Sequence, residues 1–352
     1  MPFFHYFCSM ITECNIEDIY HSTTAIIDVR SPGEYEKGHI PHAVNIPLFT
    51  NDERAHVGTV YKQQSKEEAI ELGYKFVTPK LQWFIDESLK VAPNRDVIVH
   101  CWRGGMRSRS FAQHLSENGF NKVQVIKGGY KSYRHFVLNT FEKEYCLKIL
   151  GGYTGSGKTY ILEELKNMGQ QVVDLEGIAN HKGSAFGGIN QPQQPSVEQF
   201  ENNLHEKWLK IDHSKPIWLE DESHNIGTDK IPMPLYLQMR NSNLYFLDIP
   251  KPERAHHLVG EYGKCNSKLL AESIHRIAKR LGYEKEKKAI EMLEQENLYD
   301  VALTTLHYYD KSYLKGMSAR DKEKVYTIKT ESTNHKKNAE IILDYLDKHG
   351  ND

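Results

Sequence analysis

A stretch reading "GGYTGSGKT" at residues 151–159 can work in only one local setting. Its glycines let backbone amides close around phosphate oxygens, its lysine supplies a point charge, and its threonine hydroxyl can ligate Mg²⁺. That geometry needs a buried strand before the loop and a helix after it. The apolar "LKIL" ahead of it and the helical spacing from Thr159 to Met168, closed by Gly169, supply both. Gly152, Gly155, Ser156, Gly157, Lys158 and Thr159 are therefore the candidate phosphate contacts. They call for a diphosphate-like group and leave open whether ATP binds or is hydrolysed.

A loop of this kind sits on a parallel sheet, and further strands are predicted at "QVVDL" (171–175), "PIWLED" (216–221) and "LYFLDIP" (244–250). From about residue 253 the chain is charged, with apolar residues at helical spacing in "SKLLAESIHRIAKRLGY" and "NAEIILDYLDKH", so a helical tail packed on this unit is expected. Upstream, "AIIDVR" (25–30), "VIVH" (97–100) and "VQVI" (123–126) read as buried parallel strands, with a helix from Ser108 to Asn118 capped by Gly119. The stretch 128–145 reads as a connecting helix. The result is an α/β chain of two units, 1–140 and 141–352, and 352 residues suffice for two cores.

Beside the phosphate loop, Asp174 and Asp221 end predicted strands and Glu222 follows; each could hold Mg²⁺, the candidate cofactor. The plainer reading is an acid that ends a strand in solvent. No apolar run reaches the roughly 18 residues of a membrane span, and "MPFFHYFCSM" lacks the positive flank and cleavage site of a secretory leader, so the cytoplasm is expected. Five cysteines form no CxxC pair, and 18 histidines lie scattered, so neither disulfides nor zinc are expected. A net charge of −2 speaks neither for nor against nucleic acid.

The second constellation is "HCWRGGMRSRS" (100–110). A cysteine between a parallel strand and a helix meets converging backbone amides and a positive helix end, which favour thiolate over thiol. Arg103, Arg107 and Arg109 add charge, while Gly104 and Gly105 let the loop curl. Cys101 is thus a candidate nucleophile facing an anion. Cys8, Cys14, Cys146 and Cys265 have no such setting and are expected to be buried and inert.

The stretch "DVRSPGEYEKGHIPHAVNIP" (28–47) resembles the rhodanese homology domain, which implies a cysteine able to carry a chalcogen. The same loop also satisfies His-Cys-x5-Arg, as in phosphatases of rhodanese fold, where Cys101 would attack phosphorus and Arg107 would clamp its oxygens. A general sulfurtransferase joined to a nucleotide-binding unit is the third reading.

Four stretches together, "CWRGGMRSRS", "GGYTGSGKT", "DLEGIANHKGSAFGG" (174–188) and "EDESHNIG" (220–227), resemble the tRNA 2-selenouridine synthase family, with Lys182 where that family has arginine. The resemblance runs from Asp28 to about Arg240. It implies replacement of sulfur by selenium in wobble 2-thiouridine of tRNA, with selenophosphate as donor, and S-geranylation of the same base from geranyl diphosphate. Cys101 would then act on selenophosphate, with Arg103 and Arg107 neutralising the phosphate. The phosphate loop would hold the geranyl diphosphate, and His181 and Lys182 would face substrate. In the tail, Lys268, Arg276, Lys279 and Arg280 are candidate tRNA contacts, with a solvated charged face as the plainer reading because Glu272 and the acids from Glu284 onward dilute the patch. A selenophosphate-supplying enzyme is a candidate partner.

Overall fold

The structure, a computed structural model, describes residues 11–349. The opening stretch and Cys8 lie outside them, along with the expectations placed there. The chain divides between Thr140 and Phe141 into two compact units.

In the first unit, strands β1 (Thr12–Cys14), β2 (Ala25–Asp28), β3 (Val44–Asn45), β4 (Asp96–His100) and β5 (Lys122–Ile126) form a sheet in the order β1-β5-β4-β2-β3. All its pairings are parallel. The central strands are short runs of Ile and Val with no polar alternation, the pattern of strands covered on both faces. Ile27, Val97, Val99 and Val125 are accordingly buried. The helix Met106–Glu117 lays Phe111, Ala112 and Leu115 on the sheet, then stops at Gly119, φ 85°. The 128–145 stretch is helical over Gly129–Thr140 and buries Tyr130, Tyr133 and Val137. Three helices that the apolar spacing did not announce, Asn51–Gln63, Lys66–Val77 and Leu81–Val91, fill the segment between β3 and β4.

The second unit carries β6 (Leu147–Gly152), β7 (Gln171–Val172), β8 (Ile217–Glu220), β11 (Asn243–Asp248) and β12 (Val325–Lys329), ordered β12-β11-β6-β8-β7 and parallel throughout. A small antiparallel pair, β9 (Asn225–Ile226) and β10 (Asp229–Lys230), stands apart. β7 is shorter than expected because Asp174 leaves the strand to cap the helix Leu175–Ala179, accepting the Gly177 N–H at 2.7 Å. The tail is helical over Lys251–Tyr262, Ser267–Leu281, Tyr283–Glu294, Leu298–Ser318 and His335–His349. It also contains β12, which the helical reading missed; this strand pairs with β11 from Leu244↔Val325 to Asp248↔Lys329 and closes the sheet.

The described cysteines are all unpaired. Cys14 is buried, and burial, then Asp18, push its thiol up to about 11, the value of an inert group. Cys146 corrects the expectation of burial: it is exposed, just ahead of β6. Cys265 is half-buried against Asn190 at 3.1 Å. Among the described residues no helix is long and apolar enough to cross a membrane.

Candidate active sites

Cys101 follows β4 and precedes the helix Met106–Glu117, so the intervening loop must reverse quickly. Gly104 does this at φ 65°; a Cβ there would lie 2.6 Å from Ile126 O. Gly105 meets nothing within 4 Å and is not sterically required. The turn after β5 pins the loop from below: Tyr130 N–H donates to Cys101 O and Lys131 N–H to Trp102 O, each at 2.9 Å.

The residues of the 28–47 signature brace this arrangement. Arg30 is buried, donates to both Asp28 oxygens and to Gly38 O at 2.7 Å, and lies 3.7 Å over the Tyr130 ring centre. Asn45 bridges Asp28 O and Arg30 O at 2.8 and 2.9 Å. Glu34 accepts from Arg107 at 2.9 Å, and Arg54 stands 3.5 Å away. The signature thus supplies the frame of the cysteine loop, not its chemistry.

Burial alone would push the Cys101 thiol up. It is outweighed by the Ser108 hydroxyl, then Arg107, then the backbone N–H groups of Arg103 and Ser108, which together pull the thiol below its ordinary value. Ser108 Oγ is 3.3 Å from Sγ and 3.1 Å from Gly105 O, so its single proton serves one or the other. Ionising the sulfur favours the first. Arg103 is exposed and contributes its amide, whereas Arg109 turns away to pair with Glu13. Titrating thiolate absorbance against a Cys101→Ser reference is expected to give a midpoint below the usual ~8.5 of a free thiol. Arg107→Ala should move it upward, and a midpoint above the free value in the parent would remove the thiolate from the site.

In the second unit, β6 is buried along its whole length and delivers the chain to the phosphate loop. Gly155 (φ 82°) and Gly157 (φ 73°) are left-handed; a Cβ at Gly155 would lie 2.9 Å from Arg254 O, and one at Gly157 2.8 Å from the His335 ring. Beneath Gly152 the Ser156 hydroxyl is buried and lacks a hydrogen-bond partner. Lys158 Nζ donates to Tyr313 OH at 3.5 Å. Burial works against its charge, but Tyr313, Glu176 and Glu222 outweigh it and hold the ammonium protonated well above the ordinary lysine range.

The acids sort themselves clearly. Burial first, then Glu176, push the Glu222 carboxyl well up against the opposing pull of the Lys158 charge, and a hydrogen bond joins the two acids. Thr159 Oγ1 donates to Glu176 Oε2 at 3.0 Å. Glu220, buried at the end of β8, accepts the Glu176 N–H at 2.6 Å, and its Oε2 has no hydrogen-bond partner. Asp174 is engaged as a helix cap, and Asp221 pairs with Arg320 at 2.6 Å and Arg240 at 3.5 Å. Glu176 and Glu220, which the strand-end reading passed over, thus stand beside the loop together with Glu222.

The segment 181–188 folds over these acids: a Cβ on Gly183 (φ 64°) would lie 2.6 Å from Glu222 Oε2. Lys182 Nζ is 2.9 Å from Glu261, which also accepts from Tyr160 OH at 3.1 Å. His181 Nδ1 is buried without a partner, and burial, then Arg276, pull its ring below the usual histidine value. Lys268, Arg276, Lys279 and Arg280 are exposed along the helix Ser267–Leu281. Among the described residues no group of three or more His, Cys, Asp or Glu is gathered for a metal ion. Tyr313, Arg254 and His335 reach the loop from the tail, and no motif announced them.

A cysteine loop on one parallel sheet and a phosphate loop on another define a two-unit α/β protein. Residues 15–135 match the model of the rhodanese-like domain, and residues 146–340 match that of the tRNA 2-selenouridine synthase AAA domain. The chain belongs to the tRNA 2-selenouridine synthase family. It is 36% identical to the tRNA 2-selenouridine synthase of Nitrosomonas eutropha over 69% of this chain and 64% of that one. Against that of Shewanella frigidimarina the figures are 41%, 67% and 65%, and against that of Aeromonas salmonicida 34%, 84% and 88%. The chain thus spans just under two thirds of the length of the first two relatives.

Proposed function

We propose that this protein is a cytoplasmic transferase that converts wobble 2-thiouridine in tRNA to 2-selenouridine through an S-geranyl intermediate. The observation that carries the reading is the pairing, in one chain, of a cysteine held toward thiolate with a lysine-bearing phosphate loop. Thr154 of that loop also lines an apolar cavity, the surroundings a hydrocarbon tail requires.

In the first step the thiocarbonyl sulfur bonds to C1 of geranyl diphosphate as the C1–O bond breaks. The electron pair leaves on the diphosphate, and the N3 proton passes to solvent. Lys158 and the loop amides stabilise the departing oxygens. Mg²⁺ would add charge there; Thr159, Glu176 and the unpartnered Glu220 Oε2 are the hard oxygen donors suited to it. These residues fit a cation that takes its other ligands from diphosphate and water.

In the second step the Cys101 thiolate attacks the phosphorus of selenophosphate. An S–P bond forms, the P–Se bond breaks, and selenium departs as hydrogen selenide with the electron pair. Selenide adds to C2 of the base, expels geranylthiolate and leaves its proton at N3, while water releases phosphate from Cys101. Selenium keeps its oxidation state throughout, whereas its capture on Cys101 as a perselenide would need an oxidant. Arg107 and the exposed Arg103 would offset charge on the phosphoryl group. The basic helix face from Lys268 to Arg280 is the proposed contact for tRNA phosphates, and a selenophosphate-forming enzyme is the proposed supplier.

The test is the mass of the nucleosides released from tRNA carrying 2-thiouridine, treated with geranyl diphosphate, selenophosphate, both, or neither. A geranyl adduct with the first alone and 2-selenouridine with both are expected. Unchanged nucleosides, together with phosphate release from an aryl phosphate or thiocyanate formation from thiosulfate and cyanide, would replace the proposal with one of its rivals.

A further inference from the structure

The second unit carries a partly open cavity lined by Thr154 of the phosphate loop and by Leu258, Tyr262, Ala302, Tyr309 and other chiefly apolar side chains. Its long axis can be read from two helices. Along Leu298–Ser318, Tyr313 meets Lys158 at 3.5 Å, and the lining residues Tyr309, Thr305, Ala302 and Leu298 lie progressively farther from that contact. Along Lys251–Tyr262, Arg254 donates to Thr154 O at 3.0 Å, while Leu258, Tyr262 and Gly263 follow in the same order. The two far ends meet: a Cβ on Gly263 would lie 3.8 Å from Leu298. One end is therefore at the phosphate loop and the other at Leu298. The mouth is held by the 181–188 segment, where the Ala185 N–H donates to Tyr309 OH at 3.2 Å.

We infer that this cavity is the subsite for the hydrocarbon chain of an allylic diphosphate and that Ala302 sets the accepted chain length. The inference rests on the proposed prenyl transfer and adds to it where the chain lies and what measures it. At 1.5 Å per residue, Tyr309 to Ala302 covers about 10 Å, the extent of a two-isoprene chain, and Tyr309 to Leu298 covers about 16 Å. Ala302 is a small, buried residue at the depth where the second isoprene unit would end, and Leu298 floors the space beyond it. A diphosphate on the loop amides and Lys158 would fix C1 at the mouth, so chain length alone decides how deep the tail reaches.

The test measures kcat/KM for transfer from dimethylallyl, geranyl and farnesyl diphosphates by nucleoside mass, in the full-length chain. Ala302→Phe is expected to lower the geranyl-to-dimethylallyl ratio by about a hundredfold or more, since a pocket that loses room for several carbons discriminates at least that strongly. Leu298→Ala, which opens the floor and adds no bulk, is expected to raise the farnesyl-to-geranyl ratio. It decides the matter if the first variant does not fold. Unaltered ratios, in a parent that transfers geranyl, overturn the chain subsite while leaving the proposed function in place. A folded parent that transfers no prenyl group overturns the function itself, and this assignment with it.

Discussion

Lys158→Ala is expected to lower geranyl transfer by a factor of about 10²–10³ or more, the loss seen when one donor to a developing oxyanion is removed. The ammonium is the group that Tyr313, Glu176 and Glu222 hold charged beside the phosphate loop. Without it the diphosphate would meet those acids with their partner gone, so binding and bond breaking should both weaken. Lys158→Arg should not restore the rate, because a planar fork cannot replace a compact point charge on a short reach. Selenium transfer to tRNA that already carries the S-geranyl group should persist in the alanine variant, since the proposal has that step run on Cys101. Nucleoside masses from the two substrates separate the steps. Full-rate geranylation in Lys158→Ala would remove the loop from the chemistry.

The central strands of both sheets were legible because their signals are local, whereas the short edge strands β1 and β3 of the first sheet were not. Strands such as "VIVH" and "LKIL" are apolar runs too short for helices, and Gly119 and Gly169 take the left-handed turns that end the helices before them. β12 was not legible: "VYTIK" follows a long helical stretch, and it becomes a strand because β11 offers it an edge. The acids show the same boundary. Asp221 and Glu222 are neighbours at a strand end, and what distinguishes them is Arg320, far downstream, which takes Asp221 at 2.6 Å while Glu222 meets Glu176 and adds to the field that keeps Lys158 charged. Glu176 lay inside a stretch quoted for its family likeness, yet nothing in its spacing marked it as the partner of Thr159. Cys14 and Cys101 are buried to nearly the same degree, 4% and 3% exposed, yet their thiols move in opposite directions. Burial was not the readable quantity. The surrounding glycine and arginine pattern was.

Cys101→Ser is expected to stop selenium transfer, with a loss on the order of 10³-fold or more, as when a covalent nucleophile is deleted. The substitution keeps the shape of the loop, since a hydroxyl can still meet Ser108 and the two backbone amides that face Sγ. What it removes is the accessible anion, because the same contacts that bring a thiol toward ionisation near neutrality leave an alcohol protonated. Geranyl transfer should continue, so S-geranyl-2-thiouridine should accumulate when both donors are supplied. The complementary observation is made on the parent chain: brief exposure to selenophosphate followed by acid quench should leave phosphorus, not selenium, on Cys101 in the intact-protein mass. Conversion of geranylated tRNA at the parental rate by Cys101→Ser would take the nucleophile out of the reaction. A selenium adduct on the parent's cysteine would instead require an oxidant and would overturn attack at phosphorus.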